Sequence, residues 1–297
     1  MSRFNLYEDE HHPSPWQQTW REFKRSHVAI AGVVMLGFFA LLALFGPLIA
    51  PYDPLAQNTD TTLVPPSWDP SGTVRYVLGT DALGRDLFSR LIHASQVTFG
   101  TSVMLVVVAM LVGVAIGVAA GMSNGVRASV INHLLDALMV IPSLLLAIII
   151  VAILGTGLVN SMWAITLALI PHFVHHTRNL VRELMKKEFI IAAQLDGASK
   201  PHIFVNSLLP NMIEMLVVQG TIALSIAVLD ISALGFLNLG AQGTTIELGA
   251  MLSDSLNVVY IAPWNIALPG LTIFLMVFSI NVVGDGLRAA LNRRLRH

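Results

Sequence analysis

Residues 28–50 form a run of 23 positions without a charged side chain. A helix of about 20 apolar residues crosses the ~30 Å hydrocarbon core of a bilayer, so this one run either spans a membrane or demands a very large core. Composition decides between the two. The 297 residues are 55% hydrophobic and 12% charged, where an ordinary soluble domain has roughly 25% charged. Too little polar surface exists to cover such a core, so lipid must cover it. The run also exceeds the roughly 7–15 apolar residues of a signal peptide, and an uncleaved first span is expected.

Further runs follow at 97–122, 212–236 and 264–284. From 137 to 177 no Asp, Glu, Lys or Arg occurs, about twice one span, and Gly155-Thr156-Gly157 near its middle reads as a hairpin turn. The pattern predicts an all-α polytopic membrane protein with six transmembrane helices. Lys and Arg set its orientation. Segments 1–27, 123–133, 178–211 and 285–297 hold 14 of the 17 basic residues, and only Arg75, Arg85 and Arg90 lie elsewhere. An N-in, C-in topology is expected. It divides the chain into a cytoplasmic tail (1–27), a first span (28–50), an outer loop (51–96), a five-helix core (97–284) with a cytoplasmic loop (178–211), and a second cytoplasmic tail (285–297).

Several chemistries are excluded. There is no cysteine, hence no disulfide or thiolate site. A net charge of −1 gives no pull toward nucleic acid. No Gly-rich loop ends in Gly-Lys-Ser/Thr, and neither a zinc-protease nor a nucleophile-elbow pattern is present, so neither ATP binding by a P-loop nor catalysis is expected on this chain. His172, His175 and His176 have i,i+3 and i,i+4 spacing, but no carboxylate nearby completes a metal set.

Two segments outside the spans carry motifs. In the cytoplasmic loop, residues 188–196 suit about two helical turns stopped near Gly197, with small side chains at Ala192, Ala193, Gly197 and Ala198, and Leu209-Pro210 leads into the next span. Such a helix either lies on lipid headgroups or docks against a partner. In the outer loop stands Leu78-Gly79-Thr80-Asp81-Ala82-Leu83-Gly84-Arg85-Asp86-Leu87-Phe88-Ser89-Arg90. Asp81 and Arg85 are placed to pair on one helical face, and Gly79 and Gly84 permit tight turns.

These segments resemble the permease subunits of bacterial ATP-binding-cassette importers. The first is similar to their EAA coupling loop, with Ile191 where the motif has glutamate. The second resembles the stretch after the first span of C-type permeases of dipeptide, oligopeptide and nickel importers. The likeness continues through Pro142-Ser143-Leu144, Ala233-Leu234-Gly235-Phe236-Leu237 and Gly284-Asp285-Gly286-Leu287-Arg288. Leu195-Asp196-Gly197-Ala198, Asn132-His133 and Ala262-Pro263-Trp264 are most similar to the Sap branch, associated with antimicrobial-peptide resistance.

The resemblance implies a type I importer permease fold in the bacterial inner membrane, moving peptides, with nickel, haem-like or polyamine cargo as alternatives. It implies partners: a B-type permease, two cytoplasmic ATPases that carry ATP and Mg, and a periplasmic solute-binding protein. No cofactor is implied on this chain. A rival reading, an ion-coupled transporter relaying protons through Asp230 and the histidines, lacks an evident inverted repeat.

Within the spans, Gly113, Gly117, Gly121 and Gly125 form a small-residue stripe suited to close helix packing. Asp230 must face protein or a water-filled pathway, as a brace or a pathway group, whereas Asp136 and Glu214 lie within reach of headgroups. The outer loops carry seven acids (Asp53, Asp60, Asp69, Asp81, Asp86, Glu247, Asp254) against three arginines, a balance that would either steer cationic cargo or serve to solvate the loops or meet a basic patch on a binding protein.

Overall fold

The computed structural model describes residues 15–123 and 139–294. Gly125, Asn132, His133 and Asp136 lie outside the described residues. Ten helices are present among the described residues, and the β-structure there is one isolated bridge, Thr80 to Asp86. Five helical segments are long and apolar enough to cross a membrane.

Helix α1 (Pro15–Lys24) is amphipathic and stops before Ser26, whose Oγ accepts from the Ala29 N–H to cap α2 (His27–Ile49). The sequence pattern predicts a polar tail over residues 1–27; α1 is hidden in it because its apolar stripe is narrow. Leu44 and Leu48 of α2 point outward, as a lipid-facing surface should. Asp86 caps α3 (Leu87–Gly121), accepting from the Ser89 N–H at 2.8 Å and the Ser89 hydroxyl at 2.6 Å. The helix therefore begins ten residues before the apolar run at 97.

Helices α4 (Ser143–Leu154) and α5 (Leu158–Leu184) form the expected hairpin. Gly155 (φ +92°) and Gly157 (φ +137°) make its turn, and the Gly157 N–H donates to the Leu239 carbonyl. With 12 described residues, α4 is too short to span a bilayer alone. Beyond α5 come α6 (Glu188–Leu195), the single turn α7 (Lys200–Ile203), a π turn over Phe204–Leu208 and α8 (Leu209–Phe236). Pro210 has no N–H and its ring clashes with the carbonyl four residues back, so the ladder shifts: the Leu209 N–H donates to the Phe204 carbonyl, five residues back. The short α9 (Leu248–Asp254) and the long α10 (Trp264–Arg294) complete the chain.

Two apolar clusters hold the bundle. One joins α3, α4, α5 and α8 around Leu105, Ile165, Phe173 and Ile231; the other joins α2, α3, α8, α9 and α10 around Phe39, Val228, Met276 and Ile280.

Candidate functional site

On one end of the bundle, α6 stands out from the spans. Its C-terminus is a Schellman motif: the Gly197 N–H donates to the Gln194 carbonyl and the Ala198 N–H to the Ala193 carbonyl, with Gly197 at φ +81°. A β-carbon at Gly197 meets nothing within 4 Å, so its requirement here is conformational, not one of space. Ile190 alone faces inward. It is fully buried with Val181 of α5, Ile203 of α7, Leu208 of the π turn and Met212 at the start of α8. Phe189, Ile191 and Leu195 are exposed, Leu195 at 83%, and Ala192 lies exposed among them. This apolar surface stands on a helix clamped to the ends of two spans, a geometry suited to passing a push from a partner into α5 and α8.

At the opposite end of α3, the outer motif folds into a tight, ion-paired turn. Thr80 is buried, accepts from the Val64 N–H and donates to the Thr61 carbonyl. Gly79 (φ +83°) and Gly84 (φ +71°) lie against the backbones of Val64–Pro65 and Asn58, leaving no room for a side chain. Asp81 Oδ1 accepts from the Leu83 and Arg85 N–H groups. Asp81 Oδ2 pairs with Arg85 Nε at 2.6 Å and faces Arg90 Nε at 3.4 Å. The Asp81–Arg85 pair expected from the sequence thus forms, but across a turn, not along a helical face. Sequence reasoning missed the fourth partner: Asp254, at the end of α9, lies 3.8 Å from Arg85 Nη2 and 3.6 Å from Arg90 Nη2. These groups wall a cavity of about 370 Å³. No local signal joins positions 81 and 254.

The α8–α9 corner is the other feature with no sequence signal. Glu247 is fully buried and caps α9, accepting from Gly249 and Ala250. Its carboxylate occupies the space that a side chain at Gly235 would fill, and Gly249 lies directly against the Ser232 carbonyl. Burial pushes the Glu247 carboxyl up to about 7, against the lowering effect of the two N–H bonds. A raised acid favours the native state while protonated. This contribution is complete below pH 4.5 and lost as pH rises through about 7, roughly 3 kcal/mol in all. Purified protein should therefore melt at higher temperature at pH 5 than at pH 8, and Glu247→Gln should flatten that dependence. Equal pH slopes for both proteins would contradict the assignment.

Within the spans, the glycine stripe faces α5 in register. A β-carbon at Gly113 would strike Phe173, one at Gly117 would lie 2.6 Å from Thr177 Cβ, and one at Gly121 2.7 Å from Val181 Cβ. Asp230 is buried in α8 beside Ser143 at the start of α4, and its Oδ2 has no hydrogen-bond partner among the described residues. His172 and His176 line a 450 Å³ cleft between α5 and α8, with Asn179, Glu183, Gln219 and Arg288. Among the described residues no three metal-ligating side chains come together. Three of the seven outer acids are buried in the fold, Asp81 against arginines and Asp86 and Glu247 as helix caps, whereas Asp254 approaches its arginines from an exposed position.

The fold and these sites define a multi-pass inner-membrane transport component. The chain belongs to the family described as binding-protein-dependent transport system inner membrane component, which it matches over residues 113–297. Residues 14–66 match the N-terminal TM domain of oligopeptide transport permease C. It is 45% identical, over 97% of both chains, to the peptide transport system permease protein SapC of Salmonella typhimurium. It is 42% identical to the di/tripeptide transport system permease protein DppC of Pseudomonas aeruginosa, over 96% of this chain and 94% of that one. Its fold is similar to an inward-facing structure of the MetNI methionine ABC transporter, with TM-score 0.57, 20% identity and coverage of 68% of this chain and 96% of that one.

Proposed function

We propose that this chain is the C-type permease half of an ATP-driven importer of peptides, and that α6 is its coupling helix. The observation that carries this reading is the construction of α6: an exposed apolar face on a helix whose one inward residue, Ile190, is locked to α5 and α8. Relatives named for peptide, dipeptide and tripeptide transport support a peptide cargo. Likeness to SapC supports the Sap branch, with antimicrobial peptides as one cargo class.

In this reading the chain pairs with a B-type permease and receives cargo from a periplasmic solute-binding protein. Two cytoplasmic ATPases bind ATP and Mg, and their closure pushes α6 and the turn that ends it (Ala192, Ala193, Gly197, Ala198). The π turn before Pro210 passes the displacement into α8, and the bundle switches between inward-open and outward-open states. Cargo moves along the polar cleft of His172, His176, Asn179 and Gln219. Asp230 is a brace between α8 and α4, and the Gly79–Asp86 turn is a rigid outer buttress. No covalent chemistry takes place on this chain.

The reading requires six spans with both termini cytoplasmic. Reporters fused after Asp60 and Ser255 should report the outer side, and fusions after Lys187 and His297 the cytoplasm. A cytoplasmic signal at Asp60 would overturn the topology. The direct test of function is co-purification in mild detergent: a P-loop ATPase should remain bound, and uptake of peptide into vesicles should require ATP. A chain that purifies without an ATPase, or transports by an ion gradient alone, would reject the reading.

A further inference from the structure

Helix α1 crosses the end of α2 and lies on the last turns of α10, fixed by a close three-way contact. Phe23, Ala29 and Ala290 are buried together, and a β-carbon at Gly286 would come within 2.5 Å of Ala29 Cβ and 3.0 Å of Phe23 Cε2. Beside this contact the three helices leave an apolar groove of about 210 Å³, lined by Thr19, Trp20, Phe23, Val33, Val283 and Leu287. Trp20 forms one wall. Its ring stacks on Phe23 at 5.6 Å with planes 6° apart, and Lys24 Nζ stands 5.3 Å from its centroid.

The charges at the rim are unequal. Lys24 stands at the rim over the Trp20 wall and α1 carries Arg21 one turn before it, while the one acid of α1, Glu22, is taken up by Arg25 at 2.6 Å and Arg293 at 3.9 Å. Arg21 and Lys24 are left without an acidic partner among the described residues. An apolar slot beneath two uncompensated cations, with a tryptophan at the boundary, matches one ligand chemistry: an acyl chain attached to a phosphate. A zwitterionic lipid would fill the slot but bring its own cation against Lys24.

We propose that the groove between α1, α2 and α10 is a binding site for an anionic phospholipid, with one acyl chain along Val33, Val283 and Leu287 and the phosphate on Arg21 and Lys24. The bound lipid would tie α1 to the bundle and make the seating of this helix depend on the headgroup composition of the membrane. The site does not depend on the cargo or the ATPase reading.

Trp20 reports on the site directly. The full-length protein is reconstituted in phosphatidylcholine vesicles containing brominated phosphatidylglycerol or, separately, brominated phosphatidylcholine. Quenching of Trp20 is taken as the difference between wild type and Trp20→Phe. The expected result is saturation of that component at a roughly tenfold lower mole fraction of the glycerol lipid than of the choline lipid. Arg21→Gln combined with Lys24→Gln should reduce the preference to about twofold, and Val33→Phe, which fills the slot, should weaken quenching by both lipids. The headgroup comparison on wild type stands even if a variant fails to fold. Equal quenching by the two lipids would overturn the proposal, as would a preference that the double variant leaves unchanged. Loss of lipid quenching when the partner subunits are bound would assign the groove to a protein contact instead, and would overturn it too.

Discussion

Replacing Leu195 by aspartate should abolish ATP-driven transport while leaving the amount of folded permease unchanged. Leu195 is 83% exposed on α6 and Phe189 is half exposed beside it, so neither side chain supports the fold. An interface built on so small a helix concentrates its energy in a few apolar anchors, and loss of one typically costs about 2 kcal/mol or more. A charge placed there must also be desolvated on docking. ATPase binding should weaken by about 30-fold or more, measured by retention of the ATPase through purification. Ile190→Asp should behave differently. Ile190 is fully buried against α5, α7 and α8, so that variant should fail to accumulate. At Gly197, alanine should cost about 1 kcal/mol through the positive φ, and asparagine less, because the position demands a left-handed backbone and offers open space. Full transport by Leu195→Asp would remove α6 from the mechanism.

Gly117→Leu should sharply lower the amount of folded protein. Gly113, Gly117 and Gly121 hold α3 against Phe173, Thr177 and Val181 of α5, and even a β-carbon at 117 would stand 2.6 Å from Thr177 Cβ. That separation is far inside van der Waals contact, so the two backbones must move apart along the whole seam. Overpacking of a tight core typically costs about 1–3 kcal/mol per site, and the dispersion attraction between the two helices weakens further as they separate. Most native stability lies within reach of such a loss. The level of folded protein in membranes should fall about tenfold. Gly100→Leu is the control: it lies on the same helix, is exposed, and its β-carbon would meet nothing within 4 Å. Its level should match wild type. Equal losses for both substitutions would mean that helix propensity or insertion, not the α3–α5 seam, sets the outcome.

The spans were legible in the sequence because lipid imposes a length and excludes charge, and a run such as 28–50 satisfies both conditions by itself. The glycine stripe and the stop of α6 at Gly197 were legible for a similar reason: each is a local rule, of period or of backbone conformation, that one segment obeys alone. Helix α1 was not, since ten residues with a mixed pattern look like a solvated tail until α10 is there to cover Phe23. The early start of α3 was hidden because its first ten residues include Ser89, Arg90 and Gln96, whose polarity is balanced by partners in the outer loop and in α2. The outer ion cluster was half visible. Asp81 and Arg85 sit four residues apart, whereas Asp254 comes from 169 positions further on and only the packing of α9 brings it in. Glu247 is the extreme case: as a sequence it is one of seven outer acids, and as a structure it is a buried cap pressed against Gly235.

The chain contains no cysteine, so a Leu195→Cys variant carries a single thiol at the tip of α6. Membranes holding this variant with its partner subunits would be treated with a short thiol-to-amine cross-linker, with and without ATP. The account expects one main adduct, of this chain with a P-loop ATPase identified by peptide mass, and a yield that changes with nucleotide. The absence of that adduct in membranes that still transport would contradict the claim that α6 receives the ATPase.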